Sequence, residues 1–210
     1  MPKTIARTAP AQDQRGAARS SLLLRSAKVV CQSGEYVCLV RNVSEGGVGL
    51  RFFHQVPDEP RIFLQLANGA NYPIERAWAD DCQAGYRFAA PVDLAAFIEE
   101  PGLFPHRAVR LNVEAPALVT ALGRDSRVRL IDISRCGAKI RCDHKLPVGA
   151  FVRLEVGPIP ARFGHVCWRR GMDHGLVFQQ ALELAELAGH LLTLQPYGAA
   201  AEAEAAVRAA

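Results

Sequence analysis

The stretch NVSEGG at residues 42–47 returns as DISRCG at residues 132–137, 90 positions later. Other residues recur at the same distance, namely Pro57 and Pro147, Trp78 and Trp168, Gly85 and Gly175, and Phe88 and Phe178. A repeat this long predicts two copies of a whole domain, because solenoid repeats span only about 20–50 residues. At 210 residues, half of them apolar, the chain can fill two small cores.

Each copy contains short β-type runs separated by turn residues. In copy 1 we expect strands near 22–31, 35–43, 47–53, 61–67, 72–79 and 84–89. In copy 2 we expect them near 112–121, 126–134, 137–142, 150–156, 159–168 and 174–179. Short strands at this spacing predict a small antiparallel barrel, because closing the sheet removes its unpaired edges. The expected fold class is all-β, with two tandem six-stranded antiparallel β-barrels.

Two helices complete the prediction. A short linker helix is expected at 93–99, before Pro101 and Gly102. A longer helix is expected at 181–195, packed on copy 2 or between the copies. Its apolar face consists of Leu184, Leu187, Ala188 and Leu191. The predicted divisions are a disordered arm at 1–14, domain 1 at 15–100, domain 2 at 101–197 and a flexible tail at 198–210.

Charge is concentrated near the start of the chain. The formal net charge is +4, and residues 1–30 carry six basic residues against one acidic residue. A basic arm suits an anionic partner such as a nucleotide, a nucleic acid or a membrane surface, and it equally suits a solvated tail. No apolar run approaches the length of a membrane span.

The cysteines and histidines do not predict chemistry. None of the six cysteines forms a CxxC motif, and no histidine shows metal-ligand spacing. We therefore expect no metal, no cofactor and reduced thiols in a cytoplasmic protein. No nucleophile–base set or paired acid constellation stands out, so we expect no catalytic residues and no enzyme.

One combination of motifs is more specific than the rest. Arg15 and Arg19 form RxxxR before the first predicted strand. Asn42, Ser44 and Gly47 form NxSxxG at the end of the second strand, 23 residues after Arg19. In isolation, NxSxxG is typical of turn chemistry.

The order and spacing of these motifs, followed by Trp-x6-Gly-x2-Phe, resemble the PilZ family of bacterial cyclic di-GMP receptors. The resemblance covers about 15–100 and 106–195 and implies a tandem PilZ protein. It implies cyclic di-GMP as the ligand, bound mainly by domain 1 through the five motif residues. Guanidinium groups suit this ligand, because their planar fork pairs with phosphate or with the edge of guanine and can stack on a base.

Copy 2 departs from this pattern. It keeps Arg110, Asp132, Ser134 and Gly137, but His106 stands where the first arginine is expected. This pairing places the arginine motifs 91 positions apart, one more than the other repeats. Arg107 lies beside His106 and could partly substitute, so we expect a weaker second site formed by Arg107, Arg110, Asp132, Ser134 and Gly137.

The leading hypothesis is thus a non-enzymatic receptor that signals to a protein partner. By resemblance, that partner would act in motility, exopolysaccharide output, adhesion or the cell cycle. The alternative is a PilZ-like adaptor that binds proteins without nucleotide. We expect no nucleic-acid partner, because exposed aromatic residues for stacking are few. The sequence leaves the oligomeric state and the number of bound ligands open.

Overall fold

The computed structural model describes residues 21–102 and 107–195, which form two closed antiparallel barrels and two helices. The first barrel consists of β1 (Ser21–Cys31), β2 (Gly34–Ser44), β3 (Gly47–Phe52), β4 (Arg61–Gln65), β5 (Asn71–Asp80) and β6 (Gln83–Phe88). The second barrel consists of β7 (Arg110–Ala121), β8 (Arg124–Ser134), β9 (Gly137–Arg141), β10 (Phe151–Val156), β11 (Ile159–Arg170) and β12 (Asp173–Phe178). Helix α1 (Leu94–Glu99) follows the first barrel, and α2 (Leu184–Leu194) follows the second. The predicted fold class is confirmed, while the predicted arm at 1–14 and tail at 198–210 lie outside the described residues.

Both barrels close in the same way. Strand β1 pairs with β2 and with β4, and β7 pairs with β8 and with β10. The order around the first barrel is β1-β2-β3-β6-β5-β4, and the second barrel repeats this order. Every strand therefore has two partners, and no edge is left unpaired.

The strand register preserves the 90-residue offset in detail. Ser21 pairs with Val43, and Leu111 pairs with Ile133 at the corresponding position. Both first strands also carry a bulge at the same place, just after Leu22 and just after Asn112. The one-residue slip between the arginine motifs involves Arg15, Arg19 and His106, which lie outside the described residues.

Each barrel has its own apolar core, formed by alternating inward residues. The helices extend these cores. Phe97 of α1 is fully buried against the rings of Tyr72 and Phe88. Leu187 and Leu191 of α2 are buried in the core of the second barrel, as the apolar stripe predicted.

The two recurring tryptophans do not belong to the cores. Their recurrence in both copies predicts residues of the barrel core, but Trp78 is 53% exposed and Trp168 is 37% exposed, so this prediction is wrong. A bulge precedes each of them, between Arg76 and Trp78 in β5 and at the corresponding place in β11. Because a bulge inserts one residue, it turns the following side chain to the opposite face of the sheet. The recurrence of Gly85 predicts a hairpin turn, but Gly85 lies within β6.

The barrels meet at a joint that β2, β7 and α2 form. Val37 of β2 is buried within the core cluster of the second barrel. Glu35 accepts the backbone N–H of Asn112 at 2.8 Å and its side-chain amide at 2.8 Å. The backbone N–H of Glu35 donates to the side chain of Gln195 at 2.7 Å, and the Gln195 amide donates back to the Glu35 carbonyl. These contacts place the start of β7 directly against the first barrel.

Candidate functional site

A row of paired residues crosses the outer surface of each barrel at the sequence motif. We call it the motif row. In the first barrel the motif row is Leu22, Asn42, Gly49, Gly85 and Trp78. In the second barrel it is Asn112, Asp132, Lys139, Gly175 and Trp168. The motif carboxamide or carboxylate and the tryptophan thus share one face of each barrel.

In the first barrel two side chains lie over two glycines of the motif row. A Cβ atom at Gly49 would lie 2.5 Å from the Asn42 Oδ1, and one at Gly85 would lie 2.1 Å from the Trp78 Nε1. The indole ring therefore covers the backbone of β6 with one side and remains largely open to solvent on the other. Such a ring offers a stacking surface to a planar ligand.

The serine and the last glycine of the motif serve the turn in both barrels. The Ser44 hydroxyl donates to the Gly47 carbonyl at 3.3 Å, and the Ser134 hydroxyl donates to the Gly137 carbonyl at 3.2 Å. A Cβ at Gly47 would lie 2.8 Å from the Tyr86 carbonyl oxygen. Gly47 is thus needed for close strand approach, and its φ is not positive.

Charged residues surround the motif row of the second barrel. Arg110 donates from Nη1 to the Asp132 Oδ1 at 3.1 Å, and both side chains are half-buried. The Lys139 ammonium lies 2.8 Å from Asp173, which also accepts from Arg141 at 2.9 Å. Hydrogen bonds from Arg141 and Lys139 lower the pKa of Asp173 to about 2, so this carboxylate stays ionised near neutral pH.

A cleft between the barrels lies beside this row. One cavity of about 260 Å³ is lined by Lys28 of the first barrel and by Arg107, Arg110 and Asp132 of the second. A neighbouring cavity of about 340 Å³ shares Arg107 and extends towards α2. We call these two cavities together the inter-barrel cleft. Five basic side chains line it, namely Arg25, Lys28, Arg107, Arg110 and Arg135, together with the acidic Glu99, Glu100 and Asp132. This excess of positive charge suits an anionic ligand.

The predicted site residues divide into three groups. Arg15, Arg19 and His106 lie outside the described residues. Arg107, Arg110 and Asp132 lie together on the wall of the inter-barrel cleft. Asn42 lies on the motif row of the first barrel, whereas the motif serines and last glycines lie in their turns.

Sequence reasoning missed Lys28 and the tryptophans. Lys28 comes from the first barrel, and no local motif shows that it faces the second. Its ammonium pairs with Glu35 at 2.7 Å, which belongs to the joint. The tryptophans could have been found from their pairing with a glycine, because an outward ring needs such a gap on the neighbouring strand.

The described residues were also compared with the requirements of a metal site and of a membrane-spanning helix. Residues 21–102 and 107–195 contain no group of three histidine, cysteine or acidic side chains placed to hold a metal ion. In the same part of the chain, no helix has the length and apolar character to cross a membrane.

Comparison with known proteins gives a family-model match for the second barrel. Residues 106–193 match the family model of the PilZ domain. No curated protein matches the chain.

Solved structures with a similar fold include three named proteins. PlzA of Borreliella burgdorferi in complex with c-di-GMP is 11% identical, with 80% of this chain and 87% of that chain covered and a TM-score of 0.35. YcgR of Escherichia coli in complex with c-di-GMP is 13% identical, with 88% and 86% covered and a TM-score of 0.31. The MrkH–c-di-GMP complex of K. pneumonia is 12% identical, with 80% and 86% covered and a TM-score of 0.31. These TM-scores are too low to transfer a ligand or an arrangement of barrels to this chain.

Proposed function

We propose that this chain is a cytoplasmic bacterial receptor for cyclic di-GMP, on the basis of the match of residues 106–193 to the PilZ family model. It binds the ligand without chemical change and signals to a protein partner. The observation that carries the proposal is the position of Arg107, Arg110 and Asp132 at the inter-barrel cleft.

The chemistry of the cleft suits a cyclic dinucleotide. Its two phosphodiesters are anionic, and Arg107 and Arg110 supply cations at the wall of the cleft. Lys28 lies beside them and is paired with Glu35. Arg110 is held by Asp132 through one guanidinium nitrogen, and about a third of its side chain is exposed. A guanidinium oriented in this way can pair with a phosphate or with the O6 and N7 edge of guanine.

Two positions for the ligand follow from the duplication. The sequence assigns the main site to domain 1, where Arg15 and Arg19 would close over Asn42, Ser44 and Gly47. This stays a prediction, because both arginines lie outside the described residues.

The cleft also suggests a route for the signal. Arg110 and Asn112 are two residues apart on β7, and Asn112 makes two hydrogen bonds to Glu35 of the first barrel. A ligand that binds to Arg110 therefore lies next to the joint. A ligand shifts the equilibrium between two arrangements of the barrels only if it binds one arrangement more tightly than the other. A ligand bound at the joint, where the barrels touch, would have this difference in affinity.

Calorimetric titration of single variants tests the assignment. Arg19→Ala removes the contact predicted for domain 1, Arg110→Ala removes the contact proposed at the cleft, and Arg110→Lys keeps the charge but removes the planar fork. We expect an arginine that contacts the ligand to cost about 1.5–3 kcal/mol of binding free energy when it is replaced by alanine. Arg124→Ala is the matched control, because Arg124 lies exposed at the far end of β8 from Asp132.

The pattern of losses identifies the site. A loss confined to Arg19→Ala supports domain 1, and a loss confined to Arg110→Ala supports the cleft. Losses in both variants support two sites or one shared site. Unchanged affinity in both variants, with Arg124→Ala also unchanged, contradicts the assigned residues.

A further inference from the structure

An open groove lies on the outer face of the second barrel, across β7, β8 and the end of β9. Its volume is about 610 Å³, and it shares no residue with the inter-barrel cleft. We call it the arginine groove. Its wall includes the three arginines Arg127, Arg129 and Arg141 and the two acidic residues Glu114 and Asp143.

The duplication shows that this groove is the counterpart of the face that the first barrel uses at the joint. Val37 and Phe53 of the first barrel pack against the core of the second. Ninety positions later stand Arg127 and Asp143, in strands of the same register. The fold therefore already uses this face to contact another domain. On the second barrel the two counterparts are charged and exposed.

Exposure to solvent alone does not account for the arginines. Arg129 and Arg141 are direct partners on β8 and β9, and like charges at directly paired positions destabilise a sheet. Glu114 holds Arg129 from β7, and Asp173 holds Arg141 from β12, so two positive charges stand side by side between two negative ones. An anion placed between the two arginines would remove their repulsion. The counterpart pair in the first barrel, Leu39 and Arg51, carries a single charge.

We propose that the arginine groove docks an extended acidic segment of the protein partner. This inference rests on the proposed function, because it names the chemistry of that partner. Carboxylates of the segment would lie between Arg129 and Arg141 and against Arg127, since a planar guanidinium pairs well with a carboxylate. Within residues 21–102 and 107–195, Arg127 has no hydrogen-bond or ion-pair partner, so its charge is available to the segment.

Acidic residues within the groove favour a protein segment over a nucleic acid. Glu114 lies 3.3 Å from Arg129, and Asp143 stands exposed on the same wall. A nucleic acid presents a phosphate at every step of its backbone and would meet both carboxylates. A protein segment can place acidic and uncharged side chains to match this pattern.

Fluorescence anisotropy with the full chain tests the docking. The probe is a fluorescein-labelled peptide of alternating glutamate and glycine, and an oligothymidine of the same length is the nucleic-acid comparison. The double variant Arg127→Val and Arg129→Leu installs the residues that the first barrel carries at these positions, so we expect the barrel to tolerate it. The control is Arg61→Val with Arg153→Leu, because it removes the same charge from exposed positions outside the groove.

The predicted effect is a loss of peptide affinity that is specific to the groove. At low ionic strength we expect the wild type and the control to bind the acidic peptide alike. We expect the double variant to bind it about fivefold more weakly, the effect of losing two exposed charge pairs. Arg127→Val alone should show part of this loss, and it tests the proposal if the double variant does not fold in circular dichroism melting.

Four results would overturn the proposal. The wild type does not bind the acidic peptide, or the folded variants bind it as tightly as the wild type does. The control loses as much affinity as the double variant, so that net charge explains the binding. The oligothymidine binds more tightly than the peptide, so that the groove is a nucleic-acid surface. Calorimetry with cyclic di-GMP should give the same affinity for the wild type and the double variant, and a wild type that does not bind it would contradict the receptor proposal instead.

Discussion

Gly137 is confined to glycine by the backbone of the neighbouring strand. It pairs with Val177, and a Cβ at this position would lie 2.1 Å from the Leu176 carbonyl oxygen. In the first barrel the equivalent glycine is Gly47, and Gly46 precedes it. A Cβ added at Gly46 would meet no atom within 4 Å. Neighbouring motif glycines thus differ in what they contribute. The sequence alone could not separate these roles, because both are ordinary turn residues.

This difference predicts unequal costs of adding one methyl group. Gly137→Ala should lower the free energy of unfolding by about 2–3 kcal/mol, because a carbonyl of β12 must move. Gly46→Ala should change it by less than about 0.5 kcal/mol, the usual range at a free surface position. Denaturant unfolding of both variants measures the two values. Similar values would mean that β12 shifts without strain.

His174 is a buried polar side chain with both ring nitrogens engaged. Its Nε2 accepts the backbone N–H of Leu146 at 3.1 Å, and its Nδ1 lies 2.9 Å from the Met172 carbonyl. Burial lowers the pKa of His174 below its usual 6.5, although the Met172 carbonyl opposes the shift. The folded state therefore holds the neutral ring, whereas the unfolded chain takes up a proton below about pH 6.5.

A pH dependence of stability follows from the sign of this shift. The stabilisation is fully present above pH 6.5 and is lost as the pH falls below that value, because only the unfolded state gains the proton there. His174→Ala should be less stable at every pH and should show a flatter decline between pH 7.5 and 5.5. Denaturant unfolding across that range tests it. His54 also has a pKa lowered by burial, so part of the decline should remain. An unchanged slope in the variant would contradict the role of His174.

The sequence predicted the bounds of the strands and helices closely. It predicted less well which face of the sheet each side chain takes. Alternating apolar residues and turn residues placed all the strands of both barrels near their observed bounds. The alternation failed at Trp78, because the bulge before it reverses which face the next side chain takes. A bulge of this kind depends on the pairing of two strands, and no pattern within one strand reveals it.

The elements at the joint contain a buried ion pair whose counterpart elsewhere is exposed. Lys28 and Glu35 lie on paired strands with their charged atoms 2.7 Å apart, and both are largely buried. Glu35 also holds Asn112 on β7. Arg61 and Glu75 form a similar cross-strand pair that is well exposed. We therefore expect the buried pair to contribute more to the free energy of unfolding than the exposed pair does.

Alanine substitutions at the two glutamates compare these pairs directly. Glu35→Ala should lower the free energy of unfolding by about 3 kcal/mol, because the Lys28 ammonium is left buried without its partner and the joint loses two hydrogen bonds. Glu75→Ala should lower it by less than about 1 kcal/mol, since solvent screens an exposed pair. Thermal and denaturant unfolding measure both. Equal losses would mean that the joint does not contribute beyond an ordinary surface pair.

The whole molecule shows where sequence reasoning ends. The 90-residue repeat predicted two barrels, and the turn motifs at 42–47 and 132–137 lie at equivalent places. The inter-barrel cleft was not predicted, because it brings together Lys28 and Arg107 from different copies. Its formation depends on Val37 and Glu35 facing outward from the first barrel, and these residues carry no motif. The sequence thus predicted the residues of the second barrel that line the candidate site. The lining residues of the first barrel were found only in the structure.

The proposed receptor recognises cyclic di-GMP itself rather than anions in general. Calorimetric titration of the purified full chain with cyclic di-GMP, with cyclic di-AMP and GTP as controls, measures this selectivity. We expect saturable binding of cyclic di-GMP, with at least about tenfold weaker binding of both controls, because guanine edges and two phosphodiesters must be satisfied together. Absence of binding, or equal affinity for all three nucleotides, would contradict selective recognition.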